Sequence, residues 1–170
     1  EKSVPGYLFG QSLVTTYSDY FINLTPKLIY DIGCSTGSLL AKIESRHSQK
    51  EIIYHGIDII PEMIEVAKKR KYLNPNRFNF ECKDLTDFEF KKASIIISYY
   101  TLQFISPGVR QEVFNKIYES LDCGGGFFLF EKVRSNDARF QDYATQSYNE
   151  FKLNNGYSQS EILSKSRSLK

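Results

Sequence analysis

Residues 28 to 37 read Leu28-Ile29-Tyr30-Asp31-Ile32-Gly33-Cys34-Ser35-Thr36-Gly37, and the helix-like run Ser38-Leu39-Leu40-Ala41-Lys42-Ile43 follows at once. An apolar, β-branched stretch stops at an acid, turns through two glycines and enters a helix. Gly33 and Gly37 carry no Cβ, so the pattern predicts a turn whose backbone N–H groups face a ligand, with the helix N-terminus adding a partial positive charge. An ordinary βα loop satisfies the same pattern, and the remainder of the chain decides between the two.

Outward from that stretch, further strands are expected at Glu51–Asp58, again ending on an acid, and at Phe78–Cys82. The run Ala93-Ser94-Ile95-Ile96-Ile97-Ser98-Tyr99 is the continuous apolar kind that buries both faces in a parallel sheet. Pro61 sits where a helix begins, with Met63, Ile64, Val66 and Ala67 along one side. Ser106-Pro107 opens a longer helix with Val109, Val113, Phe114, Ile117, Tyr118 and Leu121 at helical spacing, which Gly124-Gly125-Gly126 is expected to end before a fifth strand, Phe127–Lys132. Upstream, Leu13, Val14, Tyr17, Tyr20 and Phe21 predict an amphipathic helix reaching Leu24 and closed by Thr25-Pro26. Downstream, Phe140, Tyr143, Ala144, Tyr148 and Phe151 predict a helix over about 137–155, with a shorter one from Ser160; the polar stretch 133–137 reads as a loop. Five apolar strands separated by four helical segments predict an α/β fold, a doubly wound, mostly parallel sheet with helices on both faces, within one domain spanning 1–170. Ligands in such sheets bind beyond the carboxyl ends of the strands, where the winding reverses.

The 170 residues are 41% hydrophobic and 15% aromatic, enough for a substantial core. Twenty-two basic against twenty acidic residues give a net charge of +2, which points to neither a nucleic acid nor a membrane surface. Cys34, Cys82 and Cys123 show neither disulfide-framework nor zinc spacing, so a reducing cytoplasm is the expected compartment. No stretch approaches the roughly 18 to 20 apolar residues of a membrane span. The chain opens on Glu1 and closes on the polar run 164–170, so both ends of a longer chain are expected to be missing.

Asp58 follows the glycine turn at the spacing where an acid accepts both hydroxyls of a ribose; capping the next helix is the alternative. Asp84, with Leu85 beside it, is a candidate for an adenine edge, and otherwise a turn residue. The turn has serine where a dinucleotide fingerprint needs its second glycine, and no G-x-x-x-x-G-K-[ST] occurs, so a nicotinamide oxidoreductase and a P-loop nucleotidase are both disfavoured. His47, near the polar end of a helix, and His55, inside a strand, show no pairing with a nucleophile and no metal-ligand spacing, so neither a metal nor a catalytic triad is expected.

Asp31-Ile32-Gly33-Cys34-Ser35-Thr36-Gly37, followed by Asp58 and Asp84 at successive strand ends, resembles the cofactor site of class I S-adenosylmethionine-dependent methyltransferases. Ser3-Val4-Pro5-Gly6-Tyr7, Ile60-Pro61-Glu62-Met63-Ile64, Thr101-Leu102-Gln103-Phe104, Glu131-Lys132 and Asn155-Gly156-Tyr157-Ser158, in that order, narrow the resemblance to the carboxy-S-adenosylmethionine synthase family across essentially the whole chain. The resemblance implies a Rossmann-like fold whose last two strands lie outside this chain, and a reaction converting S-adenosylmethionine and prephenate to carboxy-S-adenosylmethionine and phenylpyruvate. The product serves modification of a tRNA wobble uridine by a second enzyme. It implies a cytoplasmic homodimer with no direct nucleic-acid or membrane partner, and S-adenosylmethionine, its carboxylated form or S-adenosylhomocysteine as bound ligand. It places Gly33, Cys34 and Ser35 at the methionine end, Asp58 at the ribose, Ile59 beside the adenine, Asp84 and Leu85 at the adenine edge, and Tyr7 closing over the cofactor. Tyr99 stands where that family more commonly has asparagine, and reads equally as an aromatic packed in the core. The basic residue that would recognise the new carboxylate lies downstream of this chain; Arg167 is left unassigned, and Lys68-Lys69-Arg70-Lys71 reads as a solvated helix face. A methyltransferase acting on tRNA or a small molecule, and a protein that binds the cofactor without turnover, are the competing readings.

Overall fold

Strand β1 (Leu28–Ile32) is flanked by β2 (Ile53–Asp58) on one side and β4 (Ala93–Tyr99) on the other, and every residue of β4 is buried. With β3 (Phe78–Cys82) beyond β2 and β5 (Leu121–Phe130) beyond β4, the sheet order is β3-β2-β1-β4-β5, parallel throughout. This computed structural model describes residues 3–25 and 27–168, with side chains as far as Ser164. The chain divides into two compact units, one of Ser12–Lys132 and one combining Glu1–Gln11 with Val133–Lys170.

Within the sheet unit, α2 (Ser38–Arg46) joins β1 to β2, and α3 (Pro61–Lys69) joins β2 to β3. Pro61 occupies the first turn of α3, Glu62 lies at its positive end and Lys68 and Lys69 at its negative end, all favourable placements. Helix α4 (Pro107–Ser120) joins β4 to β5. Right-handed crossovers running in opposite directions put α2 and α3 on one face and α4 on the other. Val113 and Ile117 of α4 share a core cluster with Tyr30, Ile32, Ile57 and Ile96. The winding reverses between β1 and β4, so the crevice lies past Ile32 and Tyr99.

Three expectations are corrected. Only three α-helices, not four helical segments, lie between the five strands, because 83–92 crosses from β3 to β4 without one. Its Phe88 and Phe90 pack edge-on against Tyr30, at 5.8 and 5.2 Å between ring centroids, and cover the core directly. The glycines 124–126 do not end α4. They lie inside β5, where a bulge between Leu121 and Gly126 shifts the register against Ala93 and Ile95, with Gly124 at φ 78°. Helix α1 (Tyr7–Tyr17) stops short of Leu24 and passes into a 3-10 turn, Ser18–Tyr20. Ser18 Oγ donates back to the Thr15 carbonyl at 2.7 Å, a side-chain bond that competes with continuing the helix, and Tyr17 and Tyr20 are exposed rather than packed. Pro26 lies outside the described residues.

In the terminal unit, α5 (Ala138–Asn154) is capped by Asp137, which accepts from Arg139 N at 2.8 Å. Helix α6 (Gln159–Ser168) starts from a reciprocal cap in which Ser158 N donates to Glu161 Oε2 at 2.8 Å and Glu161 N donates to Ser158 Oγ at 3.3 Å.

Glu44 of α2 is 2% exposed, and its two oxygens accept from Leu73 N and Asn74 N at 3.0 and 2.7 Å. Replacing Glu44 by alanine leaves two shielded N–H groups without partners, so Glu44→Ala is expected to lower the unfolding free energy by about 2–4 kcal/mol in urea titration. A loss under about 0.5 kcal/mol, the ordinary surface value, would show that water replaces the carboxylate.

Candidate functional site

The turn after β1 is tied to β2 through its backbone. Gly33 N and Cys34 N both donate to the Ile57 carbonyl, at 2.7 and 2.9 Å, and Ser35 N donates to Asp58 Oδ2 at 2.8 Å. Gly37 N donates to the Cys34 carbonyl at 2.9 Å. The expectation that these amides face a ligand is therefore corrected: all four donate within the protein. Gly33 at φ 75° and Ser35 at φ 49° are what let the chain fold back in this way. These bonds hold the turn against the end of β2.

A Cβ on Gly33 would overlap the side chain of Thr101, and one on Gly37 would overlap the Tyr72 hydroxyl. Cys34 is buried, with its Sγ in the room left by Gly56, and burial first, then the charges of Asp31 and Asp58, push its thiol far up, so it is a packing group and not a nucleophile. Of the two roles considered for Asp58, the structure shows the one at the helix: Oδ1 accepts from Ile60 N at 3.0 Å just ahead of α3, while Oδ2 accepts from Ser35 N. Each oxygen keeps acceptor capacity beyond these bonds. Ile59 is 62% exposed beside it.

Lys83 N donates to the Asp58 carbonyl at 3.0 Å, which brings Asp84 to the same edge of the sheet as Asp58. Asp84 Oδ1 accepts from Thr86 N and Thr86 Oγ1, both at 2.9 Å, bonds that hold its carboxyl below the ordinary range; Leu85 turns inward and joins the core. Tyr99 is buried, with its ring 4.9 Å from Phe130 and 5.0 Å from Tyr100 between centroids, so an aromatic cluster occupies that end of β4. Tyr7 opens α1 in the terminal unit, outside the unit that carries the turn. The Arg167 side chain lies outside the described residues.

Two participants escaped the sequence reading. Arg70 Nε donates to the Thr36 carbonyl at 2.7 Å and its Nη2 to Thr36 Oγ1 at 3.2 Å, so one member of the solvent-exposed basic run 68–71 also braces the turn. Asp31 is 2% exposed and its Oδ1 has no hydrogen-bond partner. An acid ending a fully apolar strand was the available signal for it.

The histidines differ from expectation in part. His47 Nε2 lies 2.8 Å from Ser18 Oγ, so a serine is paired with it after all. Asp19 Oδ1 approaches the same nitrogen at 3.5 Å, so serine and aspartate crowd one ring nitrogen and no relay runs through the ring. His55 Nε2 is 2.9 Å from Glu81 Oε1, within ion-pair distance but without hydrogen-bond alignment. Among the described residues no three His, Cys, Asp or Glu side chains are placed to hold a metal ion, and no helix is long and apolar enough to cross a membrane. A cavity of about 900 Å³ is lined by Lys27, Ile53, His55 and Glu81 among others, and none of residues 33–37 lines it.

Residues 29–125 match the model of a methyltransferase domain family. The carboxy-S-adenosyl-L-methionine synthase of Campylobacter lari is 33% identical over 99% of this chain and 70% of its own length. The synthase of Wolinella succinogenes is 36% identical over the same shares, and that of Staphylococcus epidermidis 35% identical over 100% of this chain and 73% of its own length. Among solved structures, the plantazolicin methyltransferase BpumL in complex with a pentazolic desmethylPZN analog and SAH superposes with a TM-score of 0.60 at 20% identity, covering 93% of this chain and 60% of that one. The MccD protein does so with a TM-score of 0.58 at 18% identity, covering 83% and 62%. These structural likenesses establish the fold.

Burial, and secondly the charge of Asp58, push the Asp31 carboxyl up to about 8. Its folded value lies above its unfolded value near 3.9, so the stability it contributes is complete below about pH 4 and is lost as pH rises through about 8. Asp31→Asn, similar in shape and always neutral, is expected to gain on the unsubstituted, ligand-free chain between pH 6 and pH 9 by an amount on the order of a few kcal/mol, read by urea unfolding across that range. Parallel stability profiles for the two proteins would contradict the buried, uncompensated carboxyl.

Proposed function

This chain belongs to the carboxy-S-adenosyl-L-methionine synthase family, S-adenosylmethionine-dependent transferases with a class I methyltransferase fold, and from that premise we propose that it makes carboxy-S-adenosylmethionine with prephenate as the carboxyl donor. The products are carboxy-S-adenosylmethionine, phenylpyruvate and water: prephenate gives up a carboxyl group and its ring hydroxyl, and the cofactor methyl gives up one proton. The observation that carries the reading is likeness to the synthases across the whole sheet and both terminal segments rather than across the cofactor turn alone.

The residues present fit the cofactor. Asp31 offers a buried oxygen without a partner two residues before the turn, suited to a ligand that brings an ammonium group. In this proposal Gly33, on which Thr101 packs, stands at the methionine end with Cys34 and Ser35. Asp58 is locked by Ser35 N and Ile60 N in one orientation, with acceptor capacity left for a ribose diol. In this proposal Ile59 supplies the apolar surface for adenine, Asp84 and Leu85 meet the adenine edge, and Tyr99 walls the site with its ring. S-Adenosylmethionine supplies a sulfonium that makes its methyl protons acidic. Work of the protein's own residues is to orient that methyl and to keep water from the carboxyl donor.

We propose further that the protein acts in the cytoplasm, self-associates as a homodimer, and hands a small-molecule product to a separate tRNA-modifying enzyme without itself binding RNA. Three free cysteines in isolated positions and a net charge of +2 support this, as does the use of Arg70 in bracing Thr36.

Incubation with S-adenosylmethionine and prephenate is expected to yield carboxylated cofactor and phenylpyruvate in equal amounts by mass spectrometry. Accumulation of S-adenosylhomocysteine instead would indicate methyl transfer, and cofactor binding with neither product would indicate a protein that does not turn over. Asp58→Ala, which removes the ribose acceptor and releases Ser35 together, is expected to weaken S-adenosylhomocysteine binding about 100-fold by calorimetry. A change under threefold would remove Asp58 from the site.

A further inference from the structure

Glu131 follows β5 directly, at its carboxyl end, yet its side chain serves the loop after β4. Oε1 accepts from Leu102 N at 2.8 Å and from Ser98 Oγ at 3.3 Å, and Oε2 accepts from Gln103 N at 3.1 Å. Leu102 and Gln103 open the 3-10 turn Leu102–Phe104, so one carboxylate satisfies the donors that a helical turn leaves exposed at its start. Arg110 takes the other end of the same turn, donating from Nη2 to the Ile105 carbonyl at 2.8 Å. Gln103 adds a third tie, its Nε2 donating to the Tyr100 carbonyl at 3.2 Å and its Oε1 accepting from Lys132 N at 3.3 Å.

The segment held this way is strained and sits against the cofactor turn. Tyr100 has φ 62°, a left-handed conformation that a tyrosine adopts only where its surroundings impose it. The next residue, Thr101, places its hydroxyl and methyl where a Cβ on Gly33 would be. Thr101 is thus the wall that Gly33 faces, and the position of that wall is set by the Glu131 carboxylate one residue further on.

We propose that Glu131 is a positioning residue of the cofactor site: it fixes the Tyr100–Gln103 turn so that Thr101 packs on Gly33 and holds the cofactor turn in place, and it acts through that turn without touching the ligand. The inference rests on the proposed S-adenosylmethionine site, and it assigns Glu131 no part in proton transfer, since both of its oxygens are already engaged by protein donors.

The probe is S-adenosylhomocysteine, titrated calorimetrically into the unsubstituted chain, Glu131→Gln, Thr101→Ser and the double variant. Glutamine keeps the volume of the side chain but turns an NH₂ toward a backbone N–H. Glu131→Gln is expected to weaken binding about tenfold while the melting temperature of the ligand-free protein moves by no more than about 3 °C. Amide exchange at Leu102 and Gln103 should speed up in the same variant. The double variant should bind more tightly than the two single losses multiplied together, because both act on one wall. Unchanged affinity in Glu131→Gln, or multiplicative losses that track a fall in global stability, would overturn the proposal while leaving the cofactor site intact. Failure of the unsubstituted chain to bind S-adenosylhomocysteine would overturn the proposed function and this role together.

Discussion

One carbonyl oxygen organises the working edge of this sheet. Ile57 O takes the N–H groups of both Gly33 and Cys34, using both of its lone-pair directions, and the chain reaches that geometry only because Gly33 stands at a positive φ. With those two bonds made, the Cys34 side chain points into the sheet, where Gly56 leaves room for it, and Ser35 is delivered to Asp58. The turn after β1 and the end of β2 thus become one rigid piece before any ligand arrives. Preorganisation of this kind spares a ligand the cost of ordering a glycine-rich loop.

Bracing from outside the turn completes the piece. Arg70 grips Thr36 from beyond the end of α3, Ser35 Oγ reaches Met63 Sδ at 3.5 Å, and Thr101 closes the side opposite Gly33. These contacts come from two segments, α3 with its C-cap and the loop after β4, about 30 to 70 residues from the turn in sequence. Side chains that hold a site commonly lie on elements other than the one that names it.

The strands were legible because their signal is local: β1, β3 and β4 begin and end where their apolar runs do, and Asp58 stands at a strand end that the hydrophobic pattern already marks. Places where the reading missed are those where tertiary contacts outweigh local pattern. The three glycines of 124–126 carry a helix-stop signal, yet the pairing of β5 with β4 claims them, and Phe21 lies so close over Gly126 that a Cβ there would come within 2.8 Å of its ring. Tyr17 and Tyr20 fit a helical stripe, yet Ser18 and Asp19 are drawn away to His47 and Arg46. Asp31, Arg70 and Glu131 could not be assigned from spacing at all, since each acquires its part from a neighbour far away in sequence or from burial alone. The free amides expected of the glycine turn were an inference from phosphate cradles, where such groups do face the ligand.

That last difference bears on which chemistry the edge accepts. The charge of Asp58 opposes ionisation of Asp31, and Asp31 is shielded from water. A phosphate brought here would meet the engaged amides of Gly33, Cys34, Ser35 and Gly37 and the charge of Asp58. A cationic ligand has the opposite effect: its charge offsets the repulsion between the acids and draws Asp31 toward its ionised form. Under the proposed function the methionine end of S-adenosylmethionine brings two such charges, an ammonium and a sulfonium, against one carboxylate. A turn that by its glycines alone resembles an anion site thus sets a buried acid with an unpartnered oxygen beside it, the feature on which the proposed cationic ligand depends.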